Sequence, residues 1–142
     1  MGRRYCTFVV DGLLCGLDAD RVQEILHDQP FTSVPLAPPG VLGLINLRGQ
    51  ILTAVDARQR LGLGRAPEGE RQTHVIVRSG DEAVSLVVDH ERDILDVGQA
   101  SIEEIPDTVN ETISRMLVGV CQLDDCILAV LDPDRIVSVV AA

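Results

Sequence analysis

The sequence predicts a mostly β protein. It is built from two similar small units of about five short strands, with a few short helices and a shared apolar core. Three observations predict it. Apolar residues alternate over runs of five to seven, and tight-turn dipeptides separate the runs. Blocks in the first half recur in the same order in the second. The core must also be aliphatic, because 46% of the 142 residues are hydrophobic while only 2% are aromatic and Trp is absent. That length is enough for one domain with a real core, and the hydrophobic share argues against disorder.

Residues 5–18, YCTFVVDGLLCGLD, read as a hairpin turning at Asp11-Gly12, where Gly accepts positive φ cheaply. That register pairs Val10 with Leu13, Phe8 with Cys15 and Cys6 with Leu17, placing all six side chains on one face. Residues 19–27 read as a short amphipathic helix, since Val22, Ile25 and Leu26 stand at i, i+3 and i+4. Asp18 or Asp20 would cap it. Residues 31–36 suggest a short strand broken by proline. Residues 42–48 and 50–55 form a second hairpin across Arg48-Gly49. Asp56 then opens one or two helical turns through Leu61, stopped by Gly62. Residues 64–72, with Gly, Pro and charge, read as a linker.

The second half repeats the plan. THVIVRSGDEAVSLVVDH reads as a hairpin turning near Ser79-Gly80-Asp81, and ERDILDV continues as strand. Residues 107–117 read as a helix with a Thr108–Glu111 capping box. LVGVCQLDDCILAVLD is a hairpin turning at Asp124-Asp125. A short helix closes the chain, with Asp132 as cap and Pro133 at its first position. A shift of 76 residues lays Gly43 on Gly119, Leu47 on Leu123, Ile51 on Ile127 and Asp56 on Asp132. A shift of 69 lays Leu17 on Leu86, Asp20 on Asp89 and Ile25 on Ile94. We therefore expect a single domain over 1–142, with lobes at about 5–65 and 70–131. A short C-terminal helix, 132–140, would pack back on them. Five twisted antiparallel strands can nearly close into a barrel, which removes most exposed edges.

Charge narrows the function. A formal net charge of −10 argues against nucleic acid, which needs clustered cations, and against an anionic membrane surface. No apolar run reaches the roughly 18 residues of a membrane span, and the first ten residues lack a signal-peptide pattern. The expected compartment is the cytoplasm. Cys6, Cys15, Cys121 and Cys126 contain no CxxC pair, so they read as small buried hydrophobes. His27, His74 and His90 fit no metal or catalytic motif. Asp89-His90-Glu91 reads as a solvated turn, Asp124-Asp125 as a plain hairpin turn, and Gly62-Leu63-Gly64 is too short for a dinucleotide fingerprint. No catalytic, cofactor or metal site is expected, and a binding module is favoured over an enzyme or a thiol-redox protein.

The stretch GVLGLINLRGQILTAVDARQRLGL resembles the signature of the CheW-like domains, the chemotaxis coupling family. Asn46, Leu47, Arg48 and Gly49 match its hairpin tip, and Asp56 and Arg58 match the segment that follows. FVVDGLLCGLDADRVQEIL, VSLVVDHERDIL and LVGVCQLDDCILAVLDPDRIV are similar to the rest of that family, so the likeness spans roughly residues 5–137. The chain departs from the family pattern at Thr53, Ala57 and His90.

The resemblance implies two five-stranded, SH3-like barrel lobes around a common core, and no enzymatic activity. It implies a cytoplasmic scaffold, recruited to membrane receptor arrays, between two partners. These are the regulatory domain of a CheA-type histidine kinase and the cytoplasmic tip of a methyl-accepting chemoreceptor. Ring assembly with other CheW-like domains is part of the same expectation. An adaptor in a related pathway, for pilus motility, development or another output, is the alternative. On matching positions, Val22 and Glu24 fall on the receptor side, and Arg48 is a key surface residue. A guanidinium on a rigid hairpin can grip a partner carboxylate in fixed geometry. The competing reading is an arginine satisfied within its own chain, with Asp56 as partner.

Overall fold

The computed structural model describes residues 3–64, 66, 71–98 and 102–138. Strands β1 (Arg4–Val10) and β2 (Leu13–Asp18) form the first hairpin in the expected register: Cys6 opposes Leu17, Phe8 opposes Cys15 and Val10 opposes Leu13. Its turn has φ of 49° at Asp11 and 80° at Gly12. Two positive φ values match the right-handed twist of the strands they join.

The expected helix over 19–27 is absent. A single 3-10 turn, Ala19–Arg21, is capped by the Asp18 side chain, and strand β3 (Val22–His27) follows. The ladder between β3 and its neighbour shifts register between Val22 and Glu24. That bulge puts Val22 and Ile25, three residues apart, on the same face, against the main core. A bulged strand thus imitates a helical period over a short window. The stretch 31–36 contributes one bridge, Thr32 to Leu44, and no strand.

The second hairpin, β4 (Val41–Leu47) and β5 (Gln50–Asp56), leads into α1 (Ala57–Arg60), capped by Asp56. Most of the expected linker, residues 65 and 67–70, lies outside the described residues. Strands β6 (Thr73–Ser79), β7 (Glu82–Val88) and β8 (His90–Asp96) follow as expected. The helix expected over 107–117 shrinks to α2 (Glu111–Ser114). Asn110, not Thr108, is its cap, accepting the Thr112 N–H at 2.7 Å. Asn is a strong cap, and Leu117 is drawn into the following ladder opposite Leu131. Strands β9 (Leu117–Gln122) and β10 (Ile127–Leu131) then lead to α3 (Pro133–Val137). Asp132 caps α3 and Pro133 opens it. The helix ends at Val137, short of the expected 140, because Ser138 is already extended; residues 139 and 140 lie outside the described residues.

The two lobes are not barrels. The strands form two open, mixed five-stranded sheets, ordered β8-β1-β2-β10-β9 and β3-β6-β7-β5-β4. Closing a barrel needs a ladder between the edge strands, and among the described residues none joins β8 to β9 or β3 to β4. Other backbone occupies part of the β4 and β9 edges instead. Thr32 and Leu44 exchange two hydrogen bonds of 2.8 Å, and Glu103 and Val120 exchange bonds of 2.7 and 3.0 Å. These bridges explain the glycine pair of the repeat. A Cβ on Gly43 would lie 2.2 Å from the Thr32 carbonyl oxygen, and one on Gly119 would lie 2.6 Å from that of Glu103.

The repeat is real in topology, but the sheets do not follow the halves of the chain. Replacing β1–β5 by β6–β10, and the reverse, turns one sheet order into the other. Each half gives its first hairpin to one sheet and its last three strands to the other. The main core lies between the sheets: Phe8, Val10, Cys15 and Leu17 meet Val75, Val77, Leu86 and Val88. A smaller cluster lines the opposite face of each sheet. One holds Ile45, Leu47, Leu52, Ala54, Ile76 and Val87, the other Tyr5, Cys121, Leu128 and Val130. Burial on both faces explains why β6 and β7 read as near-continuous apolar runs.

Candidate partner-binding site

The β4–β5 tip is rigid from below. Ile45, Leu47 and Leu52 are buried, and the Asn46 side chain accepts the Gly49 N–H at 2.9 Å. Arg48 has φ of 51° and Gly49 of 87°. An arginine in the left-handed region is uncommon, and such outliers concentrate where side-chain placement matters. The Arg48 side chain is 65% exposed and forms an ion pair with Glu24. Glu24 lies on β3, at the opposite edge of the sheet order, so the sheet curls far enough for its two ends to meet through this pair. Its hydrogen bond from Arg48 is the main cause holding the Glu24 carboxyl below the usual range.

Asp56 is not the partner of Arg48. It is buried, its side chain accepts the Arg58 N–H at 2.9 Å, and burial pushes its carboxyl up. The three sequence-named residues therefore separate. Arg48 and Glu24 come together, whereas Val22 turns to the other face. Glu24 opposes Ile76, of the small cluster, while Val22 opposes Val77, of the main core. The bulge between them makes that division.

Sequence reasoning missed two features. Ile51, beside the tip, is 67% exposed, and its repeat mate Ile127 is 59% exposed. The shift of 76 aligned them, but strand residues in apolar runs look alike whether they face core or solvent. The second is the end of β7. Asp89 is no solvated turn residue: Arg58 donates to it twice, at 2.8 and 2.6 Å, with both side chains only 12% exposed. The Asp11 N–H adds a bond of 2.9 Å. This cluster ties α1 to the β1–β2 turn and the end of β7. Its counterpart in the repeat has reversed polarity. On α3, Asp134, which is Arg58 shifted by 76, accepts from Arg21 and from Ser79 at the β6–β7 turn.

Cys6, Cys15 and Cys121 are buried as expected, but Cys126 is exposed. Its thiol is raised by desolvation and by Asp125, and burial pushes Cys15 up to about 12. Thiols raised in this way are poor nucleophiles at neutral pH. His74 is buried and shares a 2.8 Å hydrogen bond with Ser85. Among the described residues, no three His, Cys, Asp or Glu side chains are grouped to hold a metal ion. Among those residues, no helix is long and apolar enough to cross a membrane.

The family model described as CheW-like domain matches residues 4–141. The chain is 31% identical over 135 residues to the chemotaxis protein CheW of Rhizobium meliloti, covering 95% of this chain and 87% of that protein. It is 26% identical over 137 residues to the chemotaxis protein CheW of Bacillus subtilis, covering 96% and 88%. The fold superposes on the crystal structure of the scaffolding protein TtCheW from Thermoanaerobacter tengcongensis. The TM-score is 0.83 at 27% identity, covering 93% of this chain and 90% of that one.

Proposed function

The chain belongs to the CheW-like domain family, and on that premise we propose that Arg48, Glu24 and Ile51 form its working surface. It is a non-enzymatic chemotaxis scaffold of the CheW type, with the family's role of bridging a CheA-type histidine kinase and chemoreceptors. The partners in this reading are the kinase's regulatory domain and the cytoplasmic tip of the receptor, with further CheW-like domains available for ring assembly. Val22 supports the surface from the core side of β3.

The observation that carries the reading is the Arg48 tip. Its backbone sits in a conformation that disfavours arginine, yet its side chain projects from a buried anchor into solvent. Glu24 holds the guanidinium in one direction without burying it. Ile51 adds apolar area next to it. A charged group held in fixed geometry beside apolar surface is the composition of an interface hot spot.

The test titrates the full chain against the kinase regulatory domain, with and without a receptor-tip fragment. Wild type should bind both saturably. Arg48→Ala should weaken at least one of them about tenfold, while the urea midpoint stays near wild type. Ile51→Ser should weaken the same partner. Unchanged affinity for both partners in Arg48→Ala would refute the role of the tip.

A further inference from the structure

The chain is acidic, with 22 Asp and Glu against 12 cationic residues, all of them arginine. Three of those arginines nevertheless line one cleft. Arg60 at the end of α1, Arg115 after α2 and Arg135 on α3 surround an open space of about 580 Å³, with Pro39, Met116 and Ser138. The site lies where the helices of the two halves meet, and none of its residues belongs to the Arg48 surface.

The charges in this cleft are incompletely neutralised. Arg60 has only neutral partners among the described residues. Its Nε donates to the Ile136 carbonyl at 3.1 Å, and its Nη2 to the Arg135 carbonyl at 2.8 Å and towards the Met116 sulfur at 3.8 Å. Arg115 pairs with Glu111 at 2.7 Å, but both side chains are mostly exposed. Arg135 lies 3.5 Å from Asp132, whose Oδ1 already accepts the helix-capping N–H groups. Neither carboxylate lines the cleft.

We propose that this cleft binds a phosphate-bearing small molecule with a flat or apolar body. Guanidinium groups match phosphate oxygens in bidentate geometry and also stack on planar rings. Pro39 and Met116 give the apolar part of the wall. The volume falls within the usual range of small-ligand sites, roughly 300–1,000 Å³. Electrostatics selects the size of the ligand. Charges are screened beyond about 8 Å at physiological salt, so a compact anion meets the arginines and little else. An acidic protein segment would lay further negative charge along a surface that is itself strongly acidic.

The experiment is a two-dimensional amide NMR titration of the full chain with pyrophosphate, with ADP and with hexaglutamate. Pyrophosphate and ADP should shift the amides of 115–117 and 135–138 saturably, and added salt should weaken both. ADP should bind more tightly, because it also uses the apolar wall. Arg115→Gln and Arg135→Gln should each weaken ADP about fivefold. Both residues are exposed, so the fold survives their loss; Arg60 is left intact because it holds the end of α3. The proposal is overturned if neither phosphate probe binds or if the shifts fall elsewhere. It is equally overturned if neither substitution matters, or if hexaglutamate binds as tightly as ADP.

Discussion

Replacing Arg58 by alanine tests the clamp between the two halves. The change removes both hydrogen bonds to Asp89 and leaves that carboxylate 12% exposed, with the Asp11 N–H as a remaining donor. Breaking a fully buried pair from one side costs roughly 3–5 kcal/mol. The residual solvent contact and the surviving N–H reduce this to about 2–3 kcal/mol. For a domain of this size the melting temperature should fall by roughly 6–10 °C. Urea unfolding should show a lower midpoint with unchanged slope.

The pH dependence has a definite sign. Burial pushes the Asp89 carboxyl up, but hydrogen bonds from Arg58 and Asp11 and the Arg58 charge outweigh it, and the net shift is below 3.8. The folded value is depressed, so the contribution is complete above the unfolded value and is lost as pH falls through the folded one. Arg58→Ala should abolish that acid-side loss. The pair Arg58→Asp with Asp89→Arg should recover part of the stability, because Arg21 and Asp134 hold the equivalent place with reversed charge. A loss below about 0.5 kcal/mol for Arg58→Ala, the range of ordinary surface changes, would refute the clamp.

Gly43→Ala and Gly119→Ala should each cost roughly 1–3 kcal/mol or more in urea unfolding, since each Cβ would meet a bridging carbonyl. Wild-type stability for either would show that the bridges to Thr32 and Glu103 do not hold the sheet edges. His74 is kept neutral chiefly by burial, which lowers its pKa against a smaller opposing pull from Asp28. The unfolded chain therefore takes up this proton first, and stability should fall as pH drops below about 6.5. His74→Gln, which can still hydrogen-bond Ser85, should flatten the profile between pH 7 and 5; an unchanged profile would assign that slope to other groups.

Local chemistry made much of this protein legible before any coordinates. Asp11-Gly12 specifies a turn with two positive φ values, Gly49 marks the turn after Arg48, and the register of each hairpin follows from its turn. Asp56 and Asp132 announce helix starts because a carboxylate can accept the N–H groups two or three residues on. Arg48 stood out for the same reason, as a lone charge at a hairpin tip. Where local signals misled, long-range pairing had overridden them. Val22, Ile25 and Leu26 carry a helical spacing, but pairing with β6 through a bulge makes them a strand. Leu117 extends a helical face in sequence, yet its ladder partner Leu131 claims it.

By itself, then, the sequence determined nine of the ten strands, the hairpin turns, the repeat and the family likeness, because each depends on neighbours a few residues apart or on order along the chain. Only the tertiary structure decided that the sheets stay open and exchange strands between the halves. It alone put Glu24 rather than Asp56 against Arg48, buried the Arg58–Asp89 pair and gathered three arginines into one cleft. Those contacts join residues 24 to 75 positions apart. A period of two says that a strand has two faces. It does not say which strand lies beside it, and the identity of that neighbour settles which charges meet.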